Sequence, residues 1–372
     1  MTGKDNISNK YYIMYKDIPV VEFNFKTQEY KYLNFSLLPL VIANIEPSWH
    51  AIQMFCSSRN MVYNRKYHNE ILKECKIDEY TDINICIQGK GLSLRDNYWI
   101  KKADSLDTWK NVNLYNKEFS KKVVYAALTG EMSSDNINED IITGELTNKG
   151  TKAKCFYKNK NGIFLFKDES EEEIAVELIS SIIANKMNLK SALYMKSRLY
   201  GKECSVCEIE TSEKIELIHA RDVIKYYNCE MNKDTLYYNF FYNLDKVNFI
   251  KMQLFDYITL NIDRNRDNFG IKKVNDNFIG LYPIYDHDSC FKGKSLNAHY
   301  FVTGEKFNQL LPFLKSLDPV IYRNIIKFNI IKLYNYFKGE GKEIFKMYNL
   351  EKEYDKFIER IETILKGEKQ CY

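Results

Sequence analysis

The segment Leu260–Ser289, whose main part reads NIDRNRDNFGIKKVNDNFIGLYPIYDHDS, constrains this chain more than any other. Short apolar runs on either side of Asn275-Asp276-Asn277 predict a β-hairpin with strands Gly270–Val274 and Phe278–Tyr285. Upstream, Val247, Ile250, Leu254 and Ile258 recur at helical spacing and predict a helix over Asp245–Leu260. A charged run such as IDRNRDN is usually solvated surface. Here an apolar helix enters it and apolar strands leave it, so Asp263, Asn268 and Asp286 are pinned against a core.

The order Asp-x4-Asn, hairpin, Asp sets two carboxylates and an amide on one rigid unit. Transfer of a phosphoryl group to a hydroxyl needs such a set. One carboxylate, Asp263, accepts the proton of the attacking hydroxyl. An amide oxygen and a second carboxylate, Asn268 and Asp286, hold Mg2+ on the phosphates of ATP. It is also the order of a protein-kinase catalytic loop and its metal-binding Asp. Asp288 is a second candidate neighbour of the metal. Asp267 and His287 read as structural, and Arg264 and Arg266 are either surface arginines or phosphate contacts.

Ahead of this unit, the small-residue, cationic loop Thr143–Lys154 precedes predicted strands Cys155–Lys158 and Ile163–Lys167, joined by a turn at Asn159–Gly162. Such a loop can lay backbone N–H groups and lysines on phosphates, which makes Gly150, Thr151, Lys152 and Lys154 candidate ATP contacts. Ser170 is a candidate N-cap, with Glu171 to Glu173 in the first turn of the helix that follows. Ile174, Leu178, Ser181 and Ile182 share one face of that helix, with Ile179 and Ile183 beside it and Glu177 at its border. A strand lysine on the α/β-phosphates held by a helix glutamate completes a kinase-type site, and Lys167 and Glu177 have the types and the order; Glu171 to Glu173 compete for the second role.

Taken together, IDRNRDNFG and IYDHD resemble the HipA-like Ser/Thr kinases, whose catalytic loop reads roughly Asp-x-His-x-x-Asn-Phe and whose metal Asp follows Tyr. The chain departs from that pattern at Asn265, where the family often has His. The segment Gly91–Lys102, GLSLRDNYWIKK, is similar to one that such proteins carry ahead of the kinase; read for itself, Tyr98 and Trp99 are packing anchors. The resemblance covers roughly residues 90–340 and implies an α+β, two-lobed protein-kinase-like fold. It would comprise an N-terminal α/β extension (1–142), an N-lobe with the phosphate loop (143–212) and a mostly helical C-lobe (213–372). It also implies a hinge at Val206–Thr211 whose Glu208 and Glu210 backbone groups meet the adenine. Thr147, with Thr151 nearby, is the implied autophosphorylation position, and a protein substrate and a small antitoxin-like partner are the implied partners. Two alternatives stay open: a nucleotide-binding pseudokinase or interaction module, and a kinase for a lipid or small-molecule hydroxyl.

Further expectations are local. Strands are predicted over Tyr11–Ile18, Val20–Phe25, Gln28–Leu33, Tyr194–Tyr200 and Glu203–Ile209, and a linker over 133–142. Helices are predicted over Ile218–Tyr227, Leu236–Leu244, Lys306–Lys315, Pro319–Phe337 and Lys342–Leu365. A net charge of +4 is too mild to imply nucleic acid, so no direct binding to it is expected. No run approaches the length of a membrane span, and MTGKDNISNK lacks the apolar core of a signal peptide. Nine scattered cysteines favour reduced thiols in a cytoplasm. Cys204 and Cys207 form the sole CxxC and are read as strand residues, because structural zinc needs four ligands.

Overall fold

The computed structural model describes residues 9–77, 79–133, 141–227 and 237–369, less the side chains of 237, 368 and 369. The expected linker falls mostly outside these residues, as does the start of the helix expected from Leu236.

The N-terminal block opens with β1 (Lys10–Tyr15), β2 (Ile18–Asn24) and β3 (Tyr30–Tyr32). With β4 (Tyr98–Lys102) they form an antiparallel sheet in the order β3-β2-β1-β4. Between β3 and β4 lie α1 (Trp49–Ser58), α2 (His68–Glu74) and α3 (Asp82–Gln88); α4 (Lys121–Thr129) follows β4. Tyr98 and Trp99 are the anchors expected of them: Trp99 is fully buried and donates its Nε1–H to Lys16 O at 2.7 Å.

The second sheet comprises β5 (Lys154–Asn159), β6 (Gly162–Asp168), β7 (Tyr194–Leu199) and β8 (Lys202–Glu208), ordered β5-β6-β8-β7, with α5 (Glu171–Lys186) inserted between β6 and β7. Ser170 caps α5 and Glu173 reciprocates, a capping box of the kind worth about 1 kcal/mol. The buried stripe of α5 runs through Val176, Ile179 and Ile183 rather than through Leu178 and Ile182, which are only half-buried. That rotation carries Glu177 inside. Cys204 and Cys207 both lie on β8, as expected, and are buried.

A third sheet, β11-β10-β9, corrects the helix expected over Ile218–Tyr227. Ile215–His219 is strand β9, and only Ala220–Tyr226 is helical (α6). β9 adds to the edge of the hairpin β10 (Gly270–Val274) and β11 (Asn277–Leu281), and that pairing overrides local helix preference. The hairpin turns at Asn275 and Asp276, both with positive φ, while Asn277 already pairs with Val274. β11 ends at Leu281, short of the expected Tyr285, just before Pro283, which has no N–H to give a ladder.

The C-terminal region is helical, with α7 (Tyr237–Leu244), α8 (Lys246–Thr259), α9 (Phe307–Leu317), α10 (Pro319–Ile325), α11 (Ile331–Lys338), α12 (Lys342–Met347) and α13 (Glu351–Lys369). A π-turn at Ile326–Ile330 joins α10 to α11, so the expected long helix is nearly continuous. The next one breaks at Tyr348–Leu350, where Asn349 has φ +57°. No helix among the described residues is long and apolar enough to cross a membrane.

Two of the cores run across the divisions of the chain. Met61, Leu72, Trp99, Trp109 and Leu128 of the N-terminal block share one core with Cys155, Phe166 and Val206 of the second sheet. Helix α5 buries its stripe with α8 and the C-terminal helices. The N-terminal block is thus packed against the second sheet and α5 against the helical region, and Lys167 of that sheet meets Asp286 across the cleft between sheet and helical region.

Candidate active site

The site begins where α8 ends. Leu260 takes a left-handed conformation (φ +47°) and turns the chain out of the helix. Asn261 Oδ1 then accepts from Asp263 N at 3.1 Å, and Asn265 Nδ2 donates to Asp263 Oδ1 at 2.9 Å. Asn268 Nδ2 donates to Asp263 Oδ2 at 3.1 Å and to its carbonyl at 2.8 Å. The Asp263 carboxylate is thus aimed by two amides. Spending its Nδ2 on Asp263 leaves Asn268 its Oδ1, the atom a cation needs. Burial raises the pKa of Asp263 above the usual aspartate value, with Asp286 and Asp288 adding to the rise and the bond from Asn265 working against it.

Asn265, the departure from the family pattern, is therefore part of the site rather than a gap in it. Removing a donor to a carboxylate raises its pKa. Asn265→Ala is therefore expected to raise the Asp263 pKa further, by about half to one unit. An Asp263 titration followed by NMR from pH 4 to 8 that stays in place would show that Asn265 does not set this ionisation.

Arg264 lies under the loop, fully buried. Its Nε and Nη2 donate to Asp256 in α8 at 3.1 and 3.0 Å, and its Nη1 donates to Asn268 O at 2.8 Å and Tyr285 O at 2.9 Å. One guanidinium thus ties the Asp263–Asn268 loop to the residue before Asp286. Neither sequence reading, surface arginine or phosphate contact, describes it. The signal was available: an aspartate inside the apolar run of α8 demands a buried partner.

Asp286 sits at φ +60°, a strained conformation for a residue with a Cβ, of order 1–3 kcal/mol. It is held there by Tyr194 Oη, which accepts from its backbone N at 3.1 Å, and by Lys167, whose Nζ lies 2.7 Å from Asp286 Oδ1. The same Nζ is 2.5 Å from Glu177 Oε1, and Glu177 Oε2 accepts from His287 N at 2.9 Å. Lys167 and Glu177 are both buried, and Glu177 rather than Glu171 to Glu173 is the partner. Burial works against the charge on Lys167, but Asp286 and Glu177 outweigh it and hold its pKa well above the usual range. Burial also raises Asp286, and Lys167 and Lys154 more than reverse this, keeping it ionised. Glu177 is left raised, by burial and by Glu169 and Asp286, because one lysine serves several carboxylates.

The phosphate-loop candidates divide. Lys152 reaches into the cleft, 2.9 Å from both Glu169 and Glu173 and 2.5 Å from Asp288. Lys154, on β5 opposite Lys167, has its amine lowered to about 8, chiefly by burial. Gly150 has φ +97°, a backbone conformation that residues with a Cβ rarely adopt, so the loop favours glycine at this point. Thr151 is exposed. Thr147 is elsewhere: buried in a short 3-10 turn, its Oγ1 lies 3.1 Å from Leu92 O. Glu208 closes β8, and Glu210 lies in the connector to β9 with its carboxylate 3.2 Å from Lys272; neither carboxylate joins the Lys167 cluster. Glu169, which sequence reasoning passed over, is buried and accepts from Ser205 Oγ at 2.5 Å. His287 packs on Tyr194 and Phe255 and reaches Ser191, a structural role as expected.

Glu169, Glu173, Glu177, Asp286 and Asp288 face Lys152 and Lys167, with Lys154 acting on Asp286 and Lys292 3.4 Å from Glu173. Among the described residues, no three His, Cys, Asp or Glu side chains are placed to hold a metal by themselves. Mg2+ asks for less, commonly one or two protein oxygens, the rest coming from phosphate and water. Asp286 and Asn268 Oδ1 fit that requirement.

Two lobes around a cleft, with a strand lysine, a helix glutamate and a hairpin aspartate joined across it, define a kinase-like α+β protein. No family model and no curated protein matches the chain. Solved structures do. HipA of Shewanella oneidensis MR-1, from the toxin–antitoxin complex of HipA, HipB and operator DNA, aligns with a TM-score of 0.60 at 11% identity, over 95% of this chain and 97% of that one. The proinflammatory kinase CtkA of Helicobacter pylori aligns with a TM-score of 0.45 at 18% identity, over 58% of this chain and 91% of that one. The fold of this chain is the HipA-like kinase fold. The expectation that nucleic acid plays no part finds no support in these relationships, since the HipA matched was solved with DNA.

Proposed function

We propose that the chain is an ATP- and Mg-dependent serine/threonine protein kinase of HipA-like type. The observation that carries this reading is the bonding of Lys167 to both Glu177 and Asp286, beside an Asp263 carboxylate aimed by Asn265 and Asn268. Asp263 orients the acceptor hydroxyl and takes its proton. Asn268 and Asp286 would hold Mg2+, which supplies charge neutralisation between the β- and γ-phosphates. Lys167 neutralises the α/β-phosphates, and Gly150, Thr151, Lys152 and Lys154 form the loop over them. Backbone groups at Glu208 and Glu210 are the proposed adenine contacts. Most of the rate comes from positioning and electrostatics, because a loose transition state leaves little covalent work. The acceptor is a protein, and a small antitoxin-like partner and a toxin role in the cytoplasm belong to the same proposal.

The test is transfer of label from γ-labelled ATP with Mg2+ to the protein itself and to a cell lysate. Label on a serine or threonine supports the proposal. ATP binding without any transfer would replace it with a pseudokinase.

Autophosphorylation at Thr147 is part of the proposal and has a structural condition. The hydroxyl is buried, so the 3-10 turn must open before it can accept. A phosphate of about −2 charge could not return to that position, and the loop would stay out. After incubation with Mg-ATP, mass spectrometry is expected to find phosphate on Thr147. Phosphate confined to Thr151 or to other residues would remove Thr147 from the mechanism.

A further inference from the structure

We propose that Arg65, paired with Glu145, anchors the phosphate loop and is a positioning residue for the nucleotide; the nucleotide part rests on the kinase reading above. Arg65 belongs to the segment between α1 and α2, in the N-terminal block. Its local sequence, YNRKYHN, reads as ordinary polar surface, yet Arg65 is 3% exposed. Its Nη1 donates to Glu145 O at 2.7 Å, and its Nη2 donates to Glu145 Oε2 at 2.6 Å and to Lys154 O at 2.7 Å. One planar guanidinium therefore grips both ends of the loop, residue 145 where it starts and residue 154 where it enters β5. A lysine, with a point charge and no fork, could not hold this geometry.

Glu145 completes the grip. Its Oε1 accepts from Phe156 N at 2.5 Å and its Oε2 from Asn148 Nδ2 at 3.1 Å. Two further bonds come from the same segment of the block: Met61 N to Leu146 O at 2.5 Å and Lys66 N to Thr151 O at 2.7 Å. The carbonyls of residues 145, 146, 151 and 154 are thus all committed to donors of the N-terminal block. A phosphate approaching a loop meets attraction from N–H groups and lysines and repulsion from carbonyl oxygens. Turning the carbonyls away, onto Arg65 and its neighbours, leaves Gly150, Lys152 and Lys154 to face the cleft. Stability alone is a weak reason to bury such a charge pair, because desolvation offsets much of its attraction. What the pair sets is the register of the loop.

The test uses the full chain with Arg65→Lys, which keeps the charge and loses the fork, and with Arg65→Met combined with Glu145→Gln, which removes both charges. Two readouts are taken: the rate of tryptic cleavage after Lys149 and Lys152 in the native protein, and the affinity for ATP with Mg2+. Both variants are expected to stay folded by circular dichroism, to be cut at the loop about 10-fold faster and to bind ATP about 10-fold more weakly. In turnover, the loss appears in KM for ATP more than in kcat. Variants cut at the wild-type rate overturn the proposal, whatever their ATP affinity, because the loss would not run through the loop. Wholesale unfolding of Arg65→Lys overturns it as well, since the pair would then serve the fold. If wild type binds no ATP, the kinase reading falls, and the cleavage rates alone decide the anchor.

Discussion

Asp263→Asn and Asp286→Asn will each reduce phosphoryl transfer from γ-labelled ATP by about 10²- to 10⁴-fold, while the unfolding transition stays near that of wild type. The two losses have different origins. At position 263 the amide keeps the shape, but its one oxygen can accept from only one of Asn265 and Asn268, and it cannot take the hydroxyl proton. ATP affinity is therefore retained and kcat falls. At position 286 the carboxylate faces Lys167 and belongs to the proposed cation site. Asp286→Asn leaves Lys167 with Glu177 as its close partner and removes a charge from the metal, so Mg2+ dependence shifts to higher concentration as kcat falls. The Asp286 side chain is 36% exposed, which is why its loss bears on chemistry more than on folding. Transfer surviving at wild-type rates in both variants would place the reaction outside this cleft.

The largest effect on stability is expected at Arg264. Arg264→Ala leaves Asp256 charged in a fully buried position and strips a donor from the carbonyls of Asn268 and Tyr285. Breaking a buried pair from one side costs about 3–5 kcal/mol. Tyr300 Oη still donates to Asp256 Oδ2 at 2.6 Å, which softens the loss without cancelling it. Arg264→Met with Asp256→Asn removes both charges and is expected to recover most of the stability. The proposed transfer activity is not expected to follow, because the tie between the Asp263–Asn268 loop and residue 285 is still missing. A urea titration showing less than about 1 kcal/mol for Arg264→Ala would mean that this guanidinium does not hold the loop.

What was legible in the sequence is what is local. The hairpin, helix α5 with its cap, and the order Lys167, Glu177, Asp263, Asn268, Asp286 all follow from spacing and residue type over short windows. The misses are tertiary. β9 is a strand because β10 offers it an edge, a partner some fifty residues downstream in the numbering of the paired residues Ile218 and Ile271. Glu177 points inward because the stripe that α5 buries with α8 and the C-terminal helices runs through Val176, Ile179 and Ile183 rather than through Leu178 and Ile182. Arg65 and Arg264 look like any arginine in a polar run; only the carbonyls they meet, brought from distant parts of the chain, reveal them. Asp256 was the readable exception.

The Tyr15 hydroxyl, on β1, lies 2.8 Å from Glu216 Oε1 and 2.5 Å from Asp276 Oδ1 and shares its one proton between them; Asp276 is separated from it by 261 residues. β1 is therefore tied to a hairpin made some 260 residues after it. At a synthesis rate of about 5–20 residues per second, β1 waits roughly 13–50 s on the ribosome for that partner. Glu216 is made 201 residues after Tyr15, so the hydroxyl has neither carboxylate for roughly the first 10–40 s of that wait. A chain still being translated past its phosphate loop thus lacks Asp263 and Asp286, and Lys167 gains its partner across the cleft only after residue 286 has been made.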